Sequence, residues 1–134
     1  MNKIHSIFKA TYSLEERKNE SSRILREYTN RMPVICEVAP NSKLKPLEKT
    51  KYLVPYDMIA GQFQFLIRRK LDLEKNSAIY IFTPDNKTIQ LNKTMMEVYN
   101  IHKDKQDNFL YLLYDSEETF GWKRFLIDYI NINI

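Results

Sequence analysis

Two glycines in 134 residues leave this chain no glycine-rich loop. Gly61 and Gly121 stand apart, which excludes the phosphate-cradling motifs of nucleotide-binding proteins. A single cysteine, Cys36, excludes an internal disulfide framework and fits a reducing compartment. With only His5 and His102 beside it, and no CxxC or HxxxH spacing, it makes a poor metal set, so no metal or cofactor is expected. No apolar run approaches the ~18 residues of a membrane span. Residues 1–11 lack the apolar centre of a signal peptide, so the expectation is a cytoplasmic chain unless something attaches it to a membrane. Charge of one sign is not in great excess: 21 basic against 17 acidic residues give +4, with no basic run and no aromatic RNP box. Nucleic acid is therefore not an expected partner. The acidic residues do not pair in an apolar setting that would raise a pKa. Cys36 lies in an apolar run rather than the exposed, electropositive setting of a reactive thiolate. Enzyme chemistry is not expected.

What is present is an ordinary globular composition, 43% apolar and 28% charged, sized for one domain with one core. Its centre is residues 49–71, KTKYLVPYDMIAGQFQFLIRRKL. Residues 50–54 favour a strand, and Pro55 removes a ladder donor where that run ends. Asp57 is a candidate N-cap for a helix whose Ile59, Phe63, Leu66 and Ile67 recur at three- and four-residue spacing. Gly61 within it costs ~1 kcal/mol relative to alanine, which packing must offset. In the strand, Lys51 and Leu53 share one side while Tyr52 and Val54 share the other. Apolar ground on both sides, flanked by lysines, reads as a sheet edge able to accept an added peptide strand. An ordinary edge strand with solvated lysines fits the same pattern.

Elsewhere, Ser13 with Glu16 forms a capping box for a first short helix, SLEERK, and a second helix runs near residues 19–28 with Ile24 and Tyr28 on one face. Residues 31–38, RMPVICEV, are a strand with Val34, Cys36 and Val38 on one face, and Cys36 reads as a small buried hydrophobe. Residues 40–47 form a loop. Residues 77–83 are a strand, PDNK at 84–87 a turn, and residues 88–91 a short strand. Thr94 with Glu97 caps a helix reaching about His102. FLYLLY, residues 109–114, is apolar enough to be a central strand buried on both faces. That order predicts an α+β, ubiquitin-like β-grasp roll with two additional N-terminal helices. Its helical extension spans residues 1–28, its core 29–121 and a C-terminal extension 122–134.

The motifs KYLVP at 51–55, GQFQFLIRR at 61–69, RMPVI at 31–35, and FLYLLY followed by Phe120-Gly121 resemble the GABARAP-type autophagy modifiers, over residues 4–121. The resemblance implies a ubiquitin-like modifier made with residues beyond a required glycine. A family cysteine protease cuts after that glycine, here at the Gly121–Trp122 bond. Activating and conjugating enzymes then pass the carboxylate to the amine of phosphatidylethanolamine, placing the protein on autophagosomal or other organelle membranes. A glycine suits such acyl transfer because, lacking Cβ, it threads a narrow channel and accepts unusual dihedrals. An alternative is a peptide-binding adaptor of the same fold that keeps its tail and is never conjugated.

The resemblance also implies docking of aromatic-x-x-aliphatic motifs from cargo receptors and adaptors. Carried over by position, the aromatic pocket is Glu20, Ile24, Pro33, Lys51, Leu53 and Phe109. The aliphatic pocket is Tyr52, Val54, Pro55, Met58, Phe63 and Leu66. Arg31, Lys49 and Lys70 meet acidic residues that precede the aromatic. The departures gather at the C-terminus, where WKRFLIDYININI is longer than the one or few residues many relatives carry. Within it, Asp128, Tyr129 and Ile132 reproduce the ligand pattern itself. An extended chain from Gly121 to Tyr129 spans ~26–29 Å. That reach favours a neighbouring molecule's groove, or another apolar surface, over the chain's own groove.

Overall fold

The structure, a computed structural model, describes residues 6–73 and 77–116. Its elements in chain order are α1 (Ile7–Thr11), α2 (Leu14–Glu27), β1 (Arg31–Val38), β2 (Lys51–Pro55), α3 (Ala60–Lys70), β3 (Ile79–Phe82), α4 (Met95–His102) and β4 (Leu110–Ser116). The four strands form one sheet in the order β2-β1-β4-β3. β1 runs antiparallel to β2 and parallel to β4, with Ile35 opposite both Lys51 and Tyr111. β4 is central, as its continuous apolar run predicts, and β2 lies at an edge.

Strand alternation divides the core between the two faces of this sheet. Met32, Val34 and Cys36 of β1 join Leu110, Leu112 and Tyr114 of β4 beneath Phe63 and Ile67 of α3 and Met95 and Val98 of α4. The intervening residues, Ile35 and Tyr111, turn to the opposite face and meet Ile24 of α2, Phe109, Phe8 and Leu53. Tyr52 and Val54 pack with the first cluster, so β2 divides its side chains as its alternation predicts.

Several local expectations are corrected. The two helices read near residues 13–18 and 19–28 are one continuous helix, α2, opened by the Ser13–Glu16 capping box. No proline or glycine interrupts it. The additional helix precedes it as α1, capped by Ser6 and tied down at long range: the Ser6 hydroxyl donates to Glu37 Oε1 at 2.5 Å and Phe8 N–H donates to Oε2 at 3.1 Å. Ile24 is fully buried, but Tyr28 is the C-cap and lies exposed. Asp57 does not cap α3. The cap is Ile59, whose N–H donates to Gln62 Oε1 at 2.9 Å, while the first-turn amides of Ala60 and Gly61 donate to the carbonyls of Lys93 and Leu91. A backbone loop folded over the helix end has displaced the local carboxylate. The β2 strand begins at Lys51 and includes Pro55. Residues 88–91 form no strand; they touch β3 through a single Phe82–Thr88 bridge and the Ile89 N–H to Ile81 carbonyl bond.

Scarcity of glycine has a backbone consequence. Four described residues adopt the left-handed region, and all are Asn or Asp: Asn41, Asp72, Asn86 and Asn108. These short polar side chains are the ones that tolerate it. Gly61 is needed for closeness: a Cβ there would sit 3.3 Å from the Leu91 carbonyl oxygen, which already accepts the Gly61 N–H.

Candidate functional site: the exposed edge of β2

Hydrogen bonding shows which backbone groups of β2 are committed. Cys36 N–H donates to the Thr50 carbonyl at 2.8 Å, and Tyr56 N–H to that of Asn30 at 3.1 Å. With the β1–β2 register, these bracket the ladder, so Tyr52 and Val54 face β1 in bonded pairs opposite Val34 and Met32. Lys51 and Leu53 occupy the intervening pairs and turn their amides and carbonyls outward. Pro33 sits opposite Leu53, so its missing donor costs this ladder nothing.

A hollow lies on each side of that edge. The first, on the α1–α2 side, encloses about 580 Å³ and includes Glu20, Lys49 and Lys51 of the residues predicted for the site. Its remaining walls, Phe8, Tyr12, Glu16, Arg17 and Thr50, were not anticipated. Glu20 bridges the rim, 3.5 Å from Lys51 Nζ and paired to Arg23. Hydrogen bonding from Arg23, outweighing partial burial, holds its carboxyl below the usual range, so it is ionised at neutral pH. Leu53 is half-exposed, while Pro33, Ile24 and Phe109 are buried. Phe8 packs over this ground, 5.0 Å from Phe109 between ring centroids and edge-on. Ile24 and Phe109 thus form a floor, not a wall that a ligand touches directly.

The second hollow, about 270 Å³, is lined by Leu47, Glu48, Lys49, Tyr52 and Lys70. Of the predicted aliphatic pocket only Tyr52 lines this hollow; Pro55, Met58 and Leu66 are half-buried and Val54 and Phe63 buried, outside its lining. The Tyr52 ring stands edge-on to Phe63 at 6.1 Å, donates its hydroxyl to the Lys49 carbonyl at 2.7 Å, and lies 5.7 Å from Lys70 Nζ. Burial pushes the Tyr52 hydroxyl up to about 12, keeping it a neutral donor. Among the described residues, Lys49 alone borders both hollows. Arg31, expected to meet acidic ligand residues, here donates its guanidinium to the outward carbonyl of Leu53 at 3.0 Å.

Sequence reasoning also missed the fixture behind the first hollow. Asp107, with no exposed surface, accepts from Arg17 Nη1 at 2.5 Å, from the Tyr111 hydroxyl at 2.6 Å and from Phe109 N–H at 2.9 Å. The Ser21 hydroxyl donates to its carbonyl. These partners are scattered from residue 17 to 111, and no local pattern signals them. Cys36 is fully buried, and desolvation raises its thiol pKa, in keeping with a core role. Among the described residues no His, Cys, Asp or Glu cluster suits a metal ion, and no helix is long and apolar enough to cross a membrane. Phe120, Gly121 and Trp122 lie outside the described residues.

A mixed β-grasp sheet carrying two N-terminal helices places the chain in the ubiquitin-like class. The comparisons narrow this class. The family described as "Autophagy protein Atg8 ubiquitin like" matches residues 16–121. "Autophagy-related protein 8" of Candida glabrata is 46% identical over 119 residues, covering 88% of this chain and 98% of that relative. "Autophagy-related protein 8D" of Oryza sativa subsp. japonica is 45% identical, covering 85% and 96%. The crystal structure of Trypanosoma brucei ATG8 superposes with a TM-score of 0.79 at 32% identity, covering 84% of this chain and 96% of that one. The chain belongs to the Atg8 family of ubiquitin-like autophagy proteins.

Proposed function

We propose that this chain is a lipid-conjugated autophagy modifier that also serves as a docking platform, and not itself an enzyme. The observation that carries the docking half is the edge of β2, where outward Lys51 and Leu53 backbone groups lie between two hollows on opposite faces of the sheet. In an extended peptide, residues i and i+3 point to opposite sides, so an aromatic and an aliphatic at that spacing enter one hollow each. Backbone pairing along β2 supplies affinity, and the two hollows supply specificity. Lys49, Lys51 and Lys70 attract acidic residues flanking the motif. In this reading the aromatic is received over Glu20, Leu53, Pro33, Ile24 and Phe109, and the aliphatic among Tyr52, Val54, Pro55, Met58, Phe63 and Leu66. Arg31 must release the Leu53 carbonyl, or share it, when a strand is added.

The conjugation half rests on family membership and on the matched region ending at residue 121. A cysteine protease cleaves between Gly121 and Trp122, behind Phe120. Activating and conjugating enzymes then form an amide between the Gly121 carboxylate and the phosphatidylethanolamine amine. Two acyl chains suffice for stable anchoring where one is marginal. The protein then divides between cytoplasm and autophagosomal or other organelle membranes, where it gathers cargo receptors and adaptors. Gly121→Ala, expressed in place of the natural chain, is expected to remain folded and unlipidated. A lipidated Gly121→Ala protein would remove Gly121 as the acyl donor.

A further inference from the structure

The family match stops at residue 121, and thirteen residues of the chain follow it. We propose that this extension is an intramolecular ligand of the β2 edge, with Tyr129 in the hollow beside α2 and Ile132 on the opposite face of the edge, beside Tyr52 and Val54. The inference rests on the docking reading above and names an occupant for that groove.

Four features agree. Asp128 precedes Tyr129, and of the charged residues lining the α2-side hollow, Lys49 and Lys51 stand at the start of β2 where Asp128 enters, with Glu16, Arg17 and Glu20 across it on α2. Tyr129 and Ile132 are three apart, which sends them to opposite faces of an extended chain, matching the apolar ground of Leu53 on one face of the edge and of Tyr52 and Val54 on the other. Direction matches as well. β4 is parallel to β1 and β2 antiparallel to it, so Ser116 lies toward the end of the sheet where β2 begins. A chain leaving Ser116 and turning back along the edge runs parallel to β2. It passes Lys49 and Lys51 first and Val54 and Pro55 last.

Reach permits it. Lys51 lies level with Ile35 and Tyr111, two strands across and five residues below Ser116. At ~4.8 Å between strands and ~3.3 Å per residue, Ser116 is about 20 Å from Lys51. From Ser116 to Tyr129 is 129 − 116 = 13 residues, a contour of ~43–47 Å. That is enough to round the end of the sheet, so the chain's own groove is in range and the expectation of a neighbouring molecule is revised. A tail docked this way is autoinhibitory, and cleavage after Gly121 opens the groove in the step that exposes the acyl donor.

The test compares three proteins: the full chain, the full chain with Tyr129→Ala and Ile132→Ala, and a chain ending at Gly121. Amide exchange is followed by NMR at dilute protein. Slowed exchange at Lys51 and Leu53 in the full chain only, unchanged on dilution, supports the proposal. Equal exchange in all three overturns it, as does protection that fades on dilution, which marks docking between molecules. A fluorescent peptide with an acidic residue before Trp-x-x-Leu is then titrated into each. A tethered segment acts at an effective concentration on the order of 1 mM. A roughly tenfold weaker peptide affinity for the full chain than for the other two supports the tail as occupant, and equal affinities overturn it. Failure of the peptide to bind even the chain ending at Gly121 counts against the docking reading itself, while the exchange comparison still decides where the tail lies.

Discussion

In the proposed docking reading, Leu53 stands between the two hollows. It is half-exposed over the Ile24–Ile35–Phe109–Tyr111 cluster, and its backbone faces outward. Leu53→Ala and Tyr52→Ala are each expected to weaken an aromatic-x-x-aliphatic peptide by about 1–3 kcal/mol, measured by titration calorimetry. Lys49→Ala is expected to matter chiefly at low salt, because an exposed charge is screened within ~10 Å at 0.1 M. Unchanged affinity in both pocket variants would place the peptide elsewhere. Asp107 matters for another reason. Asp107→Ala leaves Arg17, a residue only 9% exposed, without its carboxylate, a loss of about 3–5 kcal/mol for a broken buried pair. Urea unfolding measures it. A change below 1 kcal/mol would mean that Arg17 finds water or another acceptor at no cost.

At the scale of elements, α1 and α2 are fastened to the sheet by polar contacts as much as by apolar ones. Lys9 Nζ lies 2.6 Å from Asp104 Oδ2 and 4.6 Å from the centre of the Tyr111 ring. Partial burial pushes the Asp104 carboxyl up, but Lys9 and the amides of Gln106 and Asp107 outweigh it, and the net shift is downward. A carboxyl lowered on folding stabilises the protein above its unfolded pKa, and that stability is lost as pH falls through the folded value. The expected result is a melting temperature that falls on acidification below about pH 4, less steeply in Asp104→Asn. A variant with the same acid slope as the natural chain would remove Asp104 as a contributor.

Elements with local signatures were legible in the sequence. The capping boxes at Ser13 and Thr94, the alternation in β1 and β2, and the continuous apolar run of β4 all form as read. What was not legible depends on distant partners. α1 is only five residues long and rests on Glu37, and the α3 amides are taken by Lys93 and Leu91 instead of Asp57. Of the site, alternation revealed the two-sided edge, and the resemblance supplied Glu20 and Lys49. Phe8, Tyr12 and Arg17 were missed because they reach the hollow only after α1 and α2 fold across the sheet.

For the molecule as a whole, the proposed function divides two tasks, ligand docking at the β2 edge and lipid attachment at Gly121. The central claim is that the chain acts after cleavage and conjugation at Gly121. The most direct measurement is the intact mass of the protein recovered from its own cells, in soluble and membrane fractions. The account predicts a soluble form ending at Gly121 and a membrane form heavier by one phosphatidylethanolamine. Recovery of both fractions with the chain intact through Ile134 and no lipid would contradict it, and would leave the protein a tail-bearing adaptor.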